Sequence, residues 1–226
     1  AVELGSPGVD LNFGCPAKAV NKSRGGAVLL KETETLYRIV KAVRDAVPAQ
    51  FPVSAKIRLG YDDTSLALDN AKAIAEAGAS SLAIHARTKS DGYRPPAYWP
   101  WIAKIKQQVA IPLVANGEIW NAEQALLCQQ QSQCQDIMLG RGALAMPNLA
   151  RHIRDQVAPL PWPEVLALLM HYSEFEIAGD KGKYYANRVK QWFSYLKLQY
   201  PEAQQLFSQL RLLTKSRDIL QLLEQQ

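Results

Sequence analysis

The turn that contains Cys15 holds the residue types best suited to chemistry. An apolar run from Val9 to Phe13 is followed directly by Gly14, Cys15 and Pro16. Glycine allows another backbone to approach closely, and proline fixes the direction in which the chain leaves the turn. A free cysteine is often a small buried residue that only packs. The polar and basic residues that follow favour a thiol that is open to a ligand instead.

Five short apolar runs predict the elements that must position this turn. They are bounded by glycine, proline or polar residues and predict buried strands over 9–13, 53–57, 82–85, 113–115 and 137–139. Amphipathic patterns between them, the clearest over 33–46 and 64–77, predict helices, so the strands should be parallel. Polar residues and glycines follow each strand, and this is the edge where α/β barrels carry their chemistry. No GxGxxG follows the first strand, which disfavours a Rossmann dinucleotide site.

We therefore predict an α/β fold, the C-terminal part (about five β/α units) of a TIM-type (β/α)8 barrel, followed by a small all-α helical bundle. The pattern changes at the proline-rich segment 159–163, after which we predict helices over 164–178, 184–199, 202–213 and 216–224. The expected domains are a barrel portion over 1–158 and a helical domain over 159–226. Because a closed barrel needs eight strands, we also expect N-terminal barrel units to be missing from this sequence.

Composition excludes several classes of protein. A chain of 226 residues with 48% hydrophobic residues can bury a large core, so we do not expect disorder. No run of eighteen apolar residues exists, and the first residues lack a basic and apolar leader, so we expect neither a membrane span nor a signal peptide. Three cysteines without a CxxC pair and three histidines without ligand spacing indicate a reducing, cytoplasmic location and no metal site.

Positive charge is concentrated in two stretches of the chain. The formal net charge is +5, and neither residues 15–31 nor residues 181–197 contain an acidic residue. The second stretch also carries several aromatic side chains. Such stretches are typical either of a solvated helix face or of a surface that binds a polyanion such as a nucleic acid.

The segment Asp10–Pro16, with the VNKSRGGA that follows it, resembles the signature of the tRNA-dihydrouridine synthases. The resemblance continues in the same order through AKIRLG with Lys56, IHARTK with His85, VANGEI and LGRGAL, and the stretch ANRVKQWFSYL is similar to the short bacterial branch. It implies an enzyme that uses FMN, recharged by NADPH, to reduce a D-loop uridine of tRNA to 5,6-dihydrouridine. One departure is Ala86, which stands where a glycine is common.

The resemblance also implies roles for individual residues. Cys15 is the catalytic general acid, which protonates C5 of the uracil while hydride from reduced FMN reaches C6. The expected cofactor-binding residues are Lys56, His85, Asn116, Gly117, Glu118, Ile119, Gly140, Arg141 and Gly142. The expected substrate- and tRNA-binding residues are Asn12, Lys18, Lys22, Arg24, Arg58, Arg87, Tyr93, Lys181, Lys183, Arg188 and Lys190.

Two of these residues have physical interpretations of their own. Lys56 lies within an apolar strand, and a buried ammonium without a partner is costly, so it should face either an anionic flavin or a carboxylate of the barrel. His85 ends the next strand and is either a donor to the flavin or a satisfied core residue. The basic residues around the turn suit RNA, because a base within tRNA must leave its stack to reach a buried flavin.

Two other functions stay open at this point. An FMN barrel that acts on a free pyrimidine, like dihydroorotate dehydrogenase, uses related chemistry, but a small substrate needs neither the basic turn nor the basic tail. A non-catalytic RNA-binding fragment would bind tRNA without flavin absorbance. With either tRNA function we expect a monomer.

Overall fold

The computed structural model describes residues 1–178 and 182–226, and side chains over 1–175 and 184–226. The contacts of the chain form two compact units, residues 1–119 with 123–138, and residues 120–122 with 139–226. The boundary near residue 158 lies inside the second of these units, and the division into a barrel portion and a helical domain stays a prediction.

The first unit is built on a sheet of five parallel strands in the order β1-β2-β3-β4-β5. The strands are β1 (Val9–Asn12), β2 (Val53–Arg58), β3 (Ser81–His85), β4 (Leu113–Asn116) and β5 (Ile137–Met138). Each predicted strand is present, with its ends shifted by at most one residue. Sequential order and parallel pairing confirm the α/β class, since parallel neighbours require a crossover between them.

Helices connect these strands. The α-helices are α1 (Lys18–Lys22), α2 (Thr33–Ala46), α3 (Ala67–Glu76), α4 (Pro100–Lys106) and α5 (Ala122–Ser132), with 3-10 turns over Val2–Leu4 and Gly26–Lys31. The predicted helix over 33–46 has these same bounds. Its first residue, Thr33, does not cap it: the Thr33 hydroxyl donates to Asn70 Oδ1 at 2.7 Å, and Asn70 Nδ2 donates to the Leu30 carbonyl at 2.8 Å. This buried amide joins α3 to the start of α2.

The pairing register places polar side chains on one face of the sheet. Successive residues of a strand point to opposite faces, and residues paired across neighbouring strands share a face. Lys56 of β2 is paired with Asn12 of β1. Arg58 is paired with His85 of β3, which is paired with Asn116 of β4. The predicted site residues of four strands therefore lie on one face, near the carboxyl ends of the strands.

The second unit consists of helices. They are α6 (Arg141–Ala145), α7 (Leu149–Asp155), α8 (Trp162–Ala178), α9 (Gly182–Leu196), α10 (Pro201–Leu210) and α11 (Ser216–Glu224). The last four correspond to the helices predicted after residue 163. Their apolar residues form one buried cluster, in which Val165, Tyr185, Phe193 and Leu210 are fully buried. Burial of these faces holds the four helices together.

The described residues contain no candidate membrane span and no candidate metal cluster. None of their helices is long and apolar enough to cross a bilayer. Within the same part of the chain, no group of three or more histidine, cysteine, aspartate or glutamate residues is arranged to hold a metal ion.

Candidate active site

The turn after β1 presents Cys15 as a half-buried residue. Its carbonyl accepts hydrogen bonds from Asn21 Nδ2 at 2.9 Å and from the backbone N–H of Ala27 at 3.0 Å. Asn21 Oδ1 in turn accepts from the Val28 N–H at 2.8 Å. One side chain on α1 thus ties the cysteine turn to the segment that follows the helix, so the backbone of Cys15 is held in place.

Gly26 allows that segment to pack directly against Cys15. Its backbone is left-handed, with φ of +65°, and a Cβ there would lie 2.8 Å from the Cys15 carbonyl oxygen and 3.0 Å from Cys15 Cβ. Any other residue would force the cysteine turn to shift. Asn21 and Gly26 were not predicted as site residues, although both lie within the VNKSRGGA segment.

Asn12 ends β1 and is exposed. Its Oδ1 accepts from the Gly14 N–H at 2.9 Å, which shapes the chain on its way into Cys15. Over the described residues, Asn12 Nδ2 has no acceptor in the protein. The amide therefore has a donor left for a ligand, as its expected role in substrate binding requires.

Lys56 lies on the polar face of the sheet without a carboxylate partner among the described side chains. Its Nζ donates to Asn116 Oδ1 at 3.2 Å, and Asn116 Nδ2 donates to the Met138 carbonyl at 2.7 Å. Burial lowers the pKa of Lys56, and the positive charge of Arg58 lowers it further, against a weaker effect of Asp10. The predicted alternative, a salt bridge to a barrel carboxylate, is not observed. An anionic ligand would relieve this half-buried ammonium.

Arg58 is buried, with only 2% of its surface exposed. Its Nε donates to the Gly14 carbonyl at 3.0 Å, and Nη1 donates to the carbonyls of Thr88 at 3.0 Å and Gly92 at 2.9 Å. Its guanidinium also lies 5.2 Å from the centre of the Tyr93 ring. Arg58 therefore ties the cysteine turn to the segment after β3.

Arg87 is fully buried. Its Nε donates to the carbonyls of Arg94 and Pro96, and Nη2 forms an ion pair with Glu118. Its Nη1 lies 3.4 Å from His85 Nε2. Neither Arg58 nor Arg87 is open to RNA in this arrangement, contrary to their expected role in binding substrate and tRNA, because their side chains are buried and donate to groups of the protein.

His85 and the segment after β4 pack closely together. A Cβ on Gly117, whose φ is +120°, would lie 2.7 Å from His85 Cδ2. The Gly117 carbonyl accepts from Trp99 Nε1 at 2.9 Å. Glycine is therefore required here for the approach of the imidazole. Ile119 is buried, and the cofactor contacts predicted for His85 and for residues 117–119 stay predictions.

The predicted residues Gly140, Arg141 and Gly142 belong to the second unit. Helix α6 begins at Arg141, and the Arg141 guanidinium lies 5.1 Å from the centre of the Trp120 ring. A Cβ on Gly140 would meet nothing within 4 Å. Close packing therefore does not explain a glycine at that position.

The predicted RNA-binding residues differ in exposure. Lys18, Lys22 and Arg24 are exposed on and after α1, and Arg24 lies 3.4 Å from Glu32. Half of the Tyr93 surface is exposed, at 51%. On α9, Arg188 is exposed and Lys190 is half-buried. Lys181 and the side chain of Lys183 lie outside the described residues.

Comparison with known proteins points to one family. The family model described as dihydrouridine synthase (Dus) matches residues 1–226. A protein of Shewanella oneidensis named tRNA-dihydrouridine(16) synthase is 55% identical over 225 residues, which cover 100% of this chain and 71% of that protein. The Escherichia coli K12 protein of that name is 50% identical over 220 residues, 97% of this chain and 70% of that protein.

Among solved structures, an old yellow enzyme homologue from Zymomonas mobilis is similar with a TM-score of 0.48 and 16% sequence identity. The match covers 71% of this chain and 49% of that chain. A likeness this weak carries no argument about function.

Replacing Gly26 with alanine is expected to destabilise the protein by about 2–4 kcal/mol, because left-handed strain adds to the contact with Cys15. Gly5→Ala is the matched control, since Gly5 is also left-handed but its Cβ would meet nothing within 4 Å. We expect it to cost about 1 kcal/mol. The measurement is the free energy of unfolding in urea. Equal losses in both variants would show that contact with Cys15 is unimportant.

Alkylation of the native protein with iodoacetamide near pH 8 is expected to modify Cys15 alone. Cys128 and Cys134 are buried. Burial raises the pKa of Cys128 to about 12 and raises that of Cys134. Because the thiolate is the reactive form, both should stay inert until the protein unfolds. Peptide mass spectrometry gives the modified site, with labelling in denaturant as the control. Modification of Cys128 at the rate of Cys15 would contradict the structure.

Proposed function

The chain belongs to the dihydrouridine synthase (Dus) family, and on this basis we propose that it reduces a D-loop uridine of tRNA to 5,6-dihydrouridine. Relatives that share half or more of its sequence are named for position 16, so we propose uridine 16 as the substrate. Within the family we place it nearest to bacterial tRNA-dihydrouridine synthase C. The observation that carries the proposal is the half-buried residue Cys15 on a turn at the strand ends whose backbone is held by hydrogen bonds.

The residues on the polar face fit a flavin. The Lys56 ammonium has no anionic partner among the described side chains, so an anionic ligand would stabilise it. The amide of the neighbouring Asn116 is fixed by hydrogen bonds to Lys56 and to the Met138 carbonyl. We propose that FMN is held by these residues together with His85 and segment 117–119, in the C-terminal part of a TIM-type barrel. The cofactor contacts expected of Gly140, Arg141 and Gly142, in the second unit, stay predictions. When bound, FMN supplies the hydride for C6 of the uracil, and NADPH supplies the reducing equivalents.

Cys15 delivers the proton that the reaction also needs. Addition of hydride at C6 leaves negative charge that is neutralised when C5 takes the proton from the Cys15 thiol. The thiolate that remains is reprotonated from water, which a half-buried side chain can reach. Asn12 can donate from Nδ2 to a uracil oxygen and so orient the ring over the thiol.

The surroundings of Cys15 suit tRNA better than a free pyrimidine. The exposed Lys18 and Lys22 follow the cysteine within one short helix and can contact phosphates of a strand from which the uridine has flipped out. A free pyrimidine would leave these residues without a role. The contacts with tRNA expected of Arg188 and Lys190, on α9 of the second unit, stay predictions. The cytoplasmic location and the monomeric state remain predictions.

The direct test is the dihydrouridine content of tRNA. Purified protein with FMN and NADPH should form dihydrouridine at position 16 of tRNA from cells that lack the gene. Liquid chromatography with mass spectrometry of defined tRNA fragments gives the modified position. Turnover of a free pyrimidine but not of tRNA, or a protein without flavin absorbance, would refute the proposal.

Replacing Cys15 with alanine is expected to lower the rate of uridine reduction by about 10²–10⁴-fold, the usual size of a general-acid effect. Flavin absorbance and tRNA affinity should be retained, because the change removes one sulfur atom. The control is Cys134→Ala, a buried thiol elsewhere in the first unit, which should keep full turnover. A Cys15→Ala enzyme with wild-type turnover would remove Cys15 from the mechanism.

Replacing Lys56 with methionine is expected to weaken flavin binding while stabilising the flavin-free protein by about 1 kcal/mol. The pKa of Lys56 is lower in the folded than in the unfolded protein. The wild-type free energy of unfolding should therefore rise with pH between that lowered pKa and the ordinary 10.5. Urea titrations across this range measure the difference, with Lys104→Met, an exposed lysine, as the control. If the free energy of unfolding of Lys56→Met rises with pH as steeply as that of the wild type, the lowered pKa of Lys56 is not the cause of that rise.

A further inference from the structure

A basic cavity lies beside the cysteine turn. It measures about 260 Å³ and is lined by Pro16, Lys18, Asn21, Lys22, Tyr61 and Lys89. No carboxylate is among these lining residues. The volume is close to the lower end for ligand pockets, about 300 Å³, which suits a group of the size of a phosphate with part of a sugar.

Two lysine ammonium groups lie against the ring of Tyr61 at the wall of this cavity. The Nζ atoms of Lys31 and Lys89 lie 4.3 Å and 4.6 Å from the centre of its ring. Lys31 is paired with Asp62 at 2.6 Å, whereas Lys89 has no carboxylate within ion-pair distance among the described side chains. The ring face attracts ammonium groups, so Tyr61 holds Lys89 at the cavity without neutralising it.

The backbone around the cavity is cross-linked by hydrogen bonds. The N–H of Lys89 donates to the Gly60 carbonyl and that of Ser90 to the Tyr61 carbonyl, each at 2.9 Å. These bonds join the segment after β2 to the segment after β3. The cavity therefore has two preformed walls, one from these segments and one from α1.

Asn21 connects the cavity to the reacting cysteine. Its Nδ2 donates both to the Cys15 carbonyl at 2.9 Å and to the Ala17 carbonyl at 2.8 Å. The residue that lines the cavity is thus in direct contact with the backbone of Cys15. A ligand in the cavity would therefore lie close to the backbone of Cys15.

We propose that this cavity binds the phosphodiester beside the reacting uridine of the RNA, on Lys22 and Lys89 with support from Lys18. The inference rests on the proposed function, which puts a flipped uridine over Cys15. A flipped nucleotide exposes its flanking phosphates, and the ammonium groups of Lys22 and Lys89 would bind one of them. Tyr61 and Lys89 then become part of the RNA site, which the sequence motif does not indicate.

The test is the salt dependence of tRNA binding by the flavin-loaded protein. The double variant Lys22→Ala/Lys89→Ala should weaken binding about tenfold and reduce the slope of log Kd against log salt by about one. KM for tRNA should rise while kcat stays close to wild type. The matched control is Lys104→Ala, since Lys104 also lies over an aromatic ring, 4.3 Å from the centre of Trp101, but does not line the cavity.

Separate assays distinguish the other sources of a phosphate. If the double variant instead raises KM for NADPH in flavin reduction without tRNA and keeps the tRNA slope, the cavity serves the reductant and the proposal is wrong. No change in either assay also overturns it. If the double variant unfolds at a lower temperature than the wild type, the same measurement is made on Lys22→Gln/Lys89→Gln. Binding needs no turnover, so a lowered slope without dihydrouridine formation would support the phosphate site while refuting the proposed activity.

Discussion

The Arg58 guanidinium is the group on which the arrangement of the strand-end segments depends. It is buried at the end of β2 and donates to carbonyls of Gly14, Thr88 and Gly92, which belong to segments after β1 and β3. Removal of such a charge would leave buried carbonyls without donors, which costs more than the bonds themselves contribute. The position of the cysteine turn therefore depends on a buried side chain of the neighbouring strand.

The parallel register explains why the polar residues meet. Neighbouring strands in register place Asn12 beside Lys56, and His85 between Arg58 and Asn116, on one face. Within this group the Lys56 ammonium has an amide but no carboxylate as its partner. The buried ammonium that costs the unliganded protein stability thus prepares the site for an anionic ligand, a common compromise at functional sites.

The cysteine turn links the two halves of the proposed reaction. On one side it continues from β1, where the Phe13 N–H donates to the Lys56 carbonyl at 2.8 Å. On the other side Asn21 joins it to the basic cavity. Proton delivery to the base and contact with the RNA backbone would therefore share one braced segment, and small shifts of that segment would disturb both.

The sequence by itself determined the strands, most helices and the cysteine turn, because these depend on local periodicity and on glycine and proline at fixed spacing. Only the tertiary structure decided which charged residues face a ligand. Arg58 is the last residue of β2 and Arg87 follows β3, yet their guanidinium groups turn inward to carbonyls and to Glu118. Tyr61 and Lys89 join Lys22 across large sequence separations. Such contacts are set by loop packing between distant segments, which local patterns do not encode.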